Sequence, residues 1–344
     1  MKKVLLLLLL TYWIVSAFTA VTDDTPAIPA GWPSPCFDFK KQPLTAEKIR
    51  LGRQLFYDPI LSRDSTVSCA GCHSPYNAFA HTDHALSHGI GDSIGRRNAP
   101  ALMNLAWQRH FMWDGAFTSL DSQILFPIMH PGEMGEDTAR IHEKLAGRTD
   151  YRNLYLLAYG DSVITTARTL EALRQFLLTL ISSNARYDSV MRGETVFTRQ
   201  ESNGHSLFKT HCSSCHKEPL FSHYGFENNG LPPDTFLNDR GRAEVTGKSS
   251  DMGFFKVPSL RNIAYTYPYM HDGRFKHLRQ VLDHYSEEIE QHSASSKGLK
   301  KNIPLTTNEK TDLIAFLLTL SDRHFLFHPA NGDPRRMYRQ EIKP

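Results

Sequence analysis

The sequence predicts a mainly α-helical protein built from two similar domains with long ordered loops. Three observations carry that expectation. The unit Cys-x-x-Cys-His occurs at Cys69–His73 and again at Cys212–His216. Apolar residues at helical spacing lead into each copy, and no strand-rich region appears anywhere. With 344 residues, 40% hydrophobic and 22% charged, the chain is long enough for two cores. Lys and Arg number 39 against 36 Asp and Glu, without blocks of like charge, so composition offers no partner role for nucleic acid or an anionic membrane surface.

Lys2 and Lys3 precede an apolar run from Val4 to Phe18, short for a bilayer span but suited to a signal-peptide core, with Ala17 and Ala20 as cleavage points. A signal peptide is therefore expected over 1–20, then an extension over 21–43. The mature chain is expected to be periplasmic, with no membrane span after cleavage.

In "LTAEKIRLGRQLFYDPIL", Ile49, Leu51, Leu55 and Phe56 have the spacing of a helix that ends before Pro59 and leads into the first Cys-x-x-Cys-His unit. This opens a first domain over 44–190. "TTARTLEALRQFLLTLISSNARYDSVM", Thr165 to Met191, reads as one helix closing that domain and running into a linker, with the domains meeting around Asn184 to Thr198. "RQESNGHSLFKTH" leads into the second unit. "LTTNEKTDLIAFLLTLSD" begins with capping residues Thr306 and Thr307 and carries Leu313, Ile314, Phe316, Leu317, Leu318 and Leu320 on an amphipathic helix. It closes a second domain over 191–330, with a tail over 331–344.

Four of the five cysteines lie in the two units, leaving Cys36 without an assigned role. Each unit is too short for a useful structural bridge, and a zinc site would need two converging Cys-x-x-Cys pairs, usually without a histidine directly after each. Covalent haem explains the spacing: two thiols add across the vinyl groups and the adjacent histidine supplies nitrogen to iron. One c-type haem is assigned to Cys69, Cys72 and His73, and another to Cys212, Cys215 and His216, making both domains cytochrome c-like.

The copies differ in the residues downstream of each. After the first comes "RRNAPALMNLAWQRHFMWDGAFTSLDSQILFPIMHPGEMG", which carries Trp113, Gln123 and Glu133; after the second comes "FFKVPSLRNIAYTYPYMHDGRFKHLRQVLDHY". These stretches, with "LGRQLFYDPILS" upstream, resemble the bacterial di-haem cytochrome c peroxidase family, which includes MauG. The resemblance runs from Leu44 to Leu320.

That resemblance implies that the His73 haem meets hydrogen peroxide, with Gln123 and Glu133 at the distal-pocket positions and Pro127 as the pocket-shaping proline between them. Peroxide heterolysis requires a group that moves a proton between the two oxygens and a donor for developing charge, roles that suit Glu133 and Gln123. The resemblance further implies that Trp113 lies between the haems. It also implies a calcium ion between the domains, held by Asn98 and the carbonyls of Thr266 and Pro268. A small cytochrome c or another periplasmic donor is the implied electron source, and homodimers occur in the family.

Two positions depart from the standard peroxidases. Ile90 stands where inactive resting members carry a releasable distal histidine, so an open site on the His73 iron is expected, with His81, His84 and His88 nearby as shifted alternatives. Tyr285 stands where a methionine ligates the second haem, as in MauG; Met270 and Met252 are the alternatives. Three activities remain open: peroxide reduction, MauG-like oxidation of a protein substrate, and electron carriage by two saturated haems.

Overall fold

The computed structural model describes residues 23–289, 299 and 302–335. The expected signal peptide and residues 336–344 of the tail lie outside the described residues. The principal helices are α1 Ala46–Tyr57, α2 Leu120–Met129, α3 Thr138–Ala146, α4 Thr149–Tyr159, α5 Thr166–Leu178, α6 Arg186–Met191, α7 Arg199–His211, α8 Leu278–Glu287 and α9 Thr307–Leu318. Among the described residues the only sheet pairs β1 Phe226–Glu227 with β2 Phe255–Lys256, antiparallel. The mainly helical expectation holds.

Four of the helix starts are set by threonines. The side chains of Thr45, Thr165, Thr198 and Thr306 accept backbone N–H groups three residues on, at the starts of α1, α5, α7 and α9. Glu201 and Glu309 return the bond to the capping residue's own N–H, so α7 and α9 open with full capping boxes. Thr306 is the cap, and Thr307 is already the first helical residue.

Each half is held by one helix crossing. A Cβ added to Gly52 on α1 would lie 1.8 Å from the Ala172 carbonyl oxygen on α5, and one added to Gly204 on α7 would lie 2.0 Å from that of Asp312 on α9. Only glycine permits backbones to approach so closely. Leu51, Leu55, Phe56, Phe79, Leu173 and Phe176 fill the first core, while Phe208, Phe221, Leu313 and Phe316 fill the second. Fully burying each such side chain contributes about 1.5–3 kcal/mol. Phe325 and Leu326 return to the first core, and the Arg53 guanidinium donates to the carbonyls of Pro329 and Gly332.

The single helix expected over Thr165–Met191 is divided. α5 ends at Leu178, and polar side chains capture the next stretch of backbone: Ser182 N–H donates to Asn104 Oδ1 at 2.9 Å and Asn184 N–H to Asp322 Oδ2 at 2.9 Å. Asp188 then accepts from Ala185 N–H at 2.8 Å and starts α6. Side-chain acceptors of this kind compete with the helical ladder.

The halves repeat each other beyond the haem units. At constant spacing, Pro100, Asn104, Met112, Trp113, Asp114, Gly115, Leu120 and Pro127 correspond to Pro258, Asn262, Met270, His271, Asp272, Gly273, Leu278 and Tyr285. The structure repeats with them. Asn104 and Asn262 are both fully buried with left-handed backbone, φ 56° and 57°, and the bridge Phe111–Phe117 matches Tyr269–Phe275.

Candidate active site

Each Cys-x-x-Cys-His unit folds as a tight turn. His73 N–H donates to the Cys69 carbonyl, and His216 N–H to that of Cys212, both at 2.9 Å. His73 Nδ1 then meets the Phe79 carbonyl at 2.7 Å, and His216 Nδ1 meets that of Phe221 at 3.1 Å. With Nδ1–H donating, Nε2 is the lone-pair nitrogen of both rings. Burial pushes both imidazoles down to about 4, so they are neutral at pH 7, as iron ligands must be. The same burial pushes the thiols of Cys69 and Cys212 up to about 12 and raises those of Cys72 and Cys215. An environment that disfavours thiolate suits neutral thioethers. These residues fit covalently attached haem.

Phe79 and Phe221 both have left-handed backbone, φ 60° and 54°, a rare conformation for a bulky residue that recurs at both turns. Their role is a site feature that motif spacing alone did not reveal. The available signal was a repeated Phe-x-His after each unit, Phe79-Ala80-His81 and Phe221-Ser222-His223. Cys215, His223 and Glu227 bring ligand atoms within 4.8 Å of one another, but Cys215 belongs to the attachment turn.

Glu133 lies near enough to the first turn for its charge to add to the effect of burial on the Cys72 thiol. Burial pushes its own carboxyl above the ordinary range and His130 opposes this; because the side chain is 41% exposed, solvent screening weakens the effect. Gln123 and Pro127 lie on α2. Pro127 has no N–H to give the Gln123 carbonyl, and its own carbonyl accepts from Met134 N–H at 3.1 Å, which folds the Glu133 turn back onto the helix. Gln123 Nε2 lies 3.9 Å from Met112 Sδ.

Ile90 packs under this turn. Its N–H donates to the Glu133 carbonyl at 2.8 Å, and its side chain is 4% exposed against Gly135. His81, His84 and His88 form a row, with ring centroids 5.7 and 4.6 Å apart. His81 sits beside His73, and His88 Nδ1 is engaged by Asp92 at 2.6 Å.

In the second half, the Tyr285 phenol on α8 lies near enough to Cys212 and Cys215 to feel their charge. Burial pushes it up to about 12, against a hydrogen bond from Asn229. Asn229 Nδ2 also reaches Met270 Sδ at 3.5 Å, so one amide touches both candidate ligands. Met252 is a surface residue, 39% exposed. Tyr285 occupies the position that Pro127 holds in the first half, so the same helical site carries a potential ligand in one domain and a ring without a lone pair in the other.

Trp113 lies where the domains meet. Its indole N–H donates to the Asn98 carbonyl at 2.8 Å, and Asn98 N–H donates to the His271 carbonyl at 2.7 Å. Arg97 joins Asp114 of its own half to Asp239 of the other, at 2.5 and 2.6 Å. Asn98 is buried, with its Nδ2 committed to the Ala85 carbonyl at 2.9 Å. Thr266 and Pro268 lie on the loop whose Tyr265 carbonyl accepts from Asn77 Nδ2 at 3.2 Å, so that loop runs along the first domain.

The family model for di-haem cytochrome c peroxidase matches residues 46–196, and that for cytochrome c matches 201–321. Methylamine utilization protein MauG of Methylophilus methylotrophus is 36% identical over 285 residues, covering 81% of this chain and 83% of that protein. Cytochrome c551 peroxidase of Nitrosomonas europaea is 32% identical over 310 residues, covering 86% and 87%. The solved structure of a MauG-like protein associated with microbial copper homeostasis aligns with TM-score 0.84 and 32% identity, over 90% of this chain and 99% of that one. No helix among the described residues is long and apolar enough to cross a membrane. Paired attachment turns, the duplicated fold and relatives of this identity and coverage lead to one conclusion: the chain belongs to the di-haem cytochrome c peroxidase family.

Proposed function

We propose that the chain is an exported, periplasmic di-haem peroxidase that reduces hydrogen peroxide to water with electrons from a small cytochrome c or a similar donor. The carrying observation is the packing of the Glu133 turn on the segment that borders the first attachment turn: Ile90 N–H donates to the Glu133 carbonyl at 2.8 Å, and Cys72 Sγ lies 3.8 Å from the His88 carbonyl. When bound, the haems supply an iron centre for peroxide and a second centre for electrons. With haem and peroxide present, Glu133 would take up a peroxide proton and return it to the departing oxygen, while the Gln123 amide would donate to the charge that develops. Pro127 shapes the pocket and Ile90, which has no ligand atom, keeps it free of a releasable histidine. Trp113 provides an aromatic group between the halves. The amide oxygen of Asn98, with the carbonyls of Thr266 and Pro268, forms an oxygen donor set suited to calcium.

The approach of the Tyr285 phenol to Cys212 and Cys215 favours a second reading, a MauG-like oxidase whose electrons come from a protein substrate. One experiment separates the two. The haem-loaded ferric protein is mixed with peroxide, then offered reduced small cytochromes c in one arm and periplasmic protein in the other. Rapid Soret perturbation with cytochrome turnover supports the peroxidase, whereas perturbation without turnover, accompanied by an oxidised protein product, supports the oxidase. A carrier with two saturated haems would show no high-spin ferric signal and no reaction.

A further inference from the structure

His130 lies on the turn that carries Glu133, whose N–H donates to the His130 carbonyl at 2.9 Å, and the peroxidase chemistry assigned to Glu133 and Gln123 leaves its side chain without a role. Its side chain is 42% exposed, and Nδ1 lies 3.9 Å from Glu133 Oε1. Nδ1 also accepts the Gly132 N–H at 3.2 Å, and Phe126 packs on the ring with centroids 5.2 Å apart. The ring therefore touches solvent on one side and the family carboxylate on the other. The neighbouring turn adds Ser93, whose hydroxyl borders Gly132, and the His88–Asp92 pair, closed on itself at 2.6 Å. Glu133 is thus the ionisable group nearest His130 among the contacts the structure records.

We infer that His130 is a positioning residue for protons: it takes them from water and passes them to Glu133 during peroxide reduction, an inference that rests on the peroxidase reading. In the present geometry Nδ1 carries a lone pair, because it accepts from Gly132, and Nε2 carries the hydrogen. Protonation at Nδ1 breaks the Gly132 bond, since two donors then face each other, and presents Nδ1–H to Glu133 Oε1. The imidazolium gives that proton to the carboxylate and returns to its starting tautomer. Two such deliveries supply the two protons that, with two electrons from the external donor, convert one hydrogen peroxide to two waters.

The test compares the haem-loaded wild type, H130Q and E133Q in steady-state peroxide reduction across pH and phosphate concentration. H130Q keeps the wild-type haem content and thermal midpoint and loses about 10-fold or more in kcat, within the scale of general acid–base catalysis. Added phosphate, acting as an external proton carrier, restores much of that rate in H130Q, leaves the wild type unchanged and does not rescue E133Q. An active wild type matched by H130Q at every pH and phosphate concentration overturns the relay alone. A wild type inert to peroxide overturns the peroxidase reading and the relay with it.

Discussion

Lys256 donates its backbone N–H to the carbonyl of Trp113 at 2.6 Å, across the junction between the two halves. The contact has a mirror image: Asn98, which corresponds to Lys256, donates to His271, which corresponds to Trp113, at 2.7 Å. The duplicated segments thus clasp each other reciprocally, and the pseudo-symmetry places an indole at one member of the clasp and an imidazole at the other. Because Trp113 is held through its backbone as well as its indole, Trp113→Phe should preserve the junction and remove the Nε1–H bond to Asn98. Single-turnover spectra should then show slower exchange of oxidising equivalents between the haems, with haem content unchanged. Equal exchange rates in wild type and variant would remove Trp113 from the path.

Burial pushes the Tyr285 phenol up to about 12, so it is protonated at pH 7 unless a cation faces it. Iron at the His216 turn would supply that cation. If the Tyr285 oxygen holds that iron, Tyr285→Phe should remove a protein ligand from the second haem, and Tyr285→Met should raise its reduction potential and give a His/Met spectrum. Asn229 touches both Tyr285 and Met270, so an unchanged potential and spectrum in Tyr285→Phe would assign the ligand to Met270.

For Glu133, burial raises the carboxyl pKa and His130 opposes the rise. A base must be ionised to accept a proton, so the rate should fall as pH drops through that raised value, above the ordinary carboxylate range. Glu133→Gln should abolish this acid limb and lose about 10²-fold or more in rate, because an amide cannot accept the proton. Retention of the limb in the variant would assign it to another group.

The helical class and both Cys-x-x-Cys-His turns were legible because each depends on local spacing, whereas Gln123, Glu133 and Tyr285 were singled out by motif resemblance alone. The break after Leu178 was not, since it depends on Asn104 and Asp322, distant in sequence, supplying acceptors to Ser182 and Asn184. The return of Phe325 and Leu326 to the first core was hidden for the same reason. The equivalence of Pro127 and Tyr285 was present in the sequence, within the two stretches that carry the family motifs. His130 and Lys256 lie within those stretches, but their roles were not legible there because they arise from what the fold brings to each residue.

Lys256 predicts a pH window for stability. Its Nζ donates to Gln108 Oε1 at 2.6 Å and to the His110 carbonyl at 2.9 Å, neither of them a carboxylate, and burial pushes it down to about 7. In the unfolded chain a lysine keeps its proton up to about 10.4. Between these values the unfolded state binds more protons than the native state, so this residue makes stability rise with pH across that window. Lys256→Met should flatten the rise, and thermal midpoints measured at steps from about pH 6.5 to 9.5, which bracket most of that window, would test it. Parallel curves for wild type and variant would show that the amine keeps its ordinary affinity for protons.

Arg261 connects stability to the second haem turn. Its side chain is fully buried, and its guanidinium donates to both oxygens of Asp188 at 2.9 and 2.7 Å and to the Pro219 carbonyl at 2.8 Å. It also lies over the rings of Trp32 and Phe221, 4.7 and 5.6 Å from their centroids, and Phe221 supplies the carbonyl that orients His216. Arg261→Met removes the cation and leaves Asp188 buried with its charge, a loss of about 3–5 kcal/mol for breaking one side of a buried pair. Adding Asp188→Asn deletes that stranded charge and keeps an amide oxygen for Ala185 N–H, the bond that starts α6. The double variant should therefore recover part of the stability lost by the single one, and the single one alone should broaden the spectrum of the His216 haem as its imidazole loses orientation. Denaturant midpoints for the four combinations measure the coupling; additive losses would show that Arg261 acts by packing on Trp32 and Phe221 rather than by neutralising Asp188.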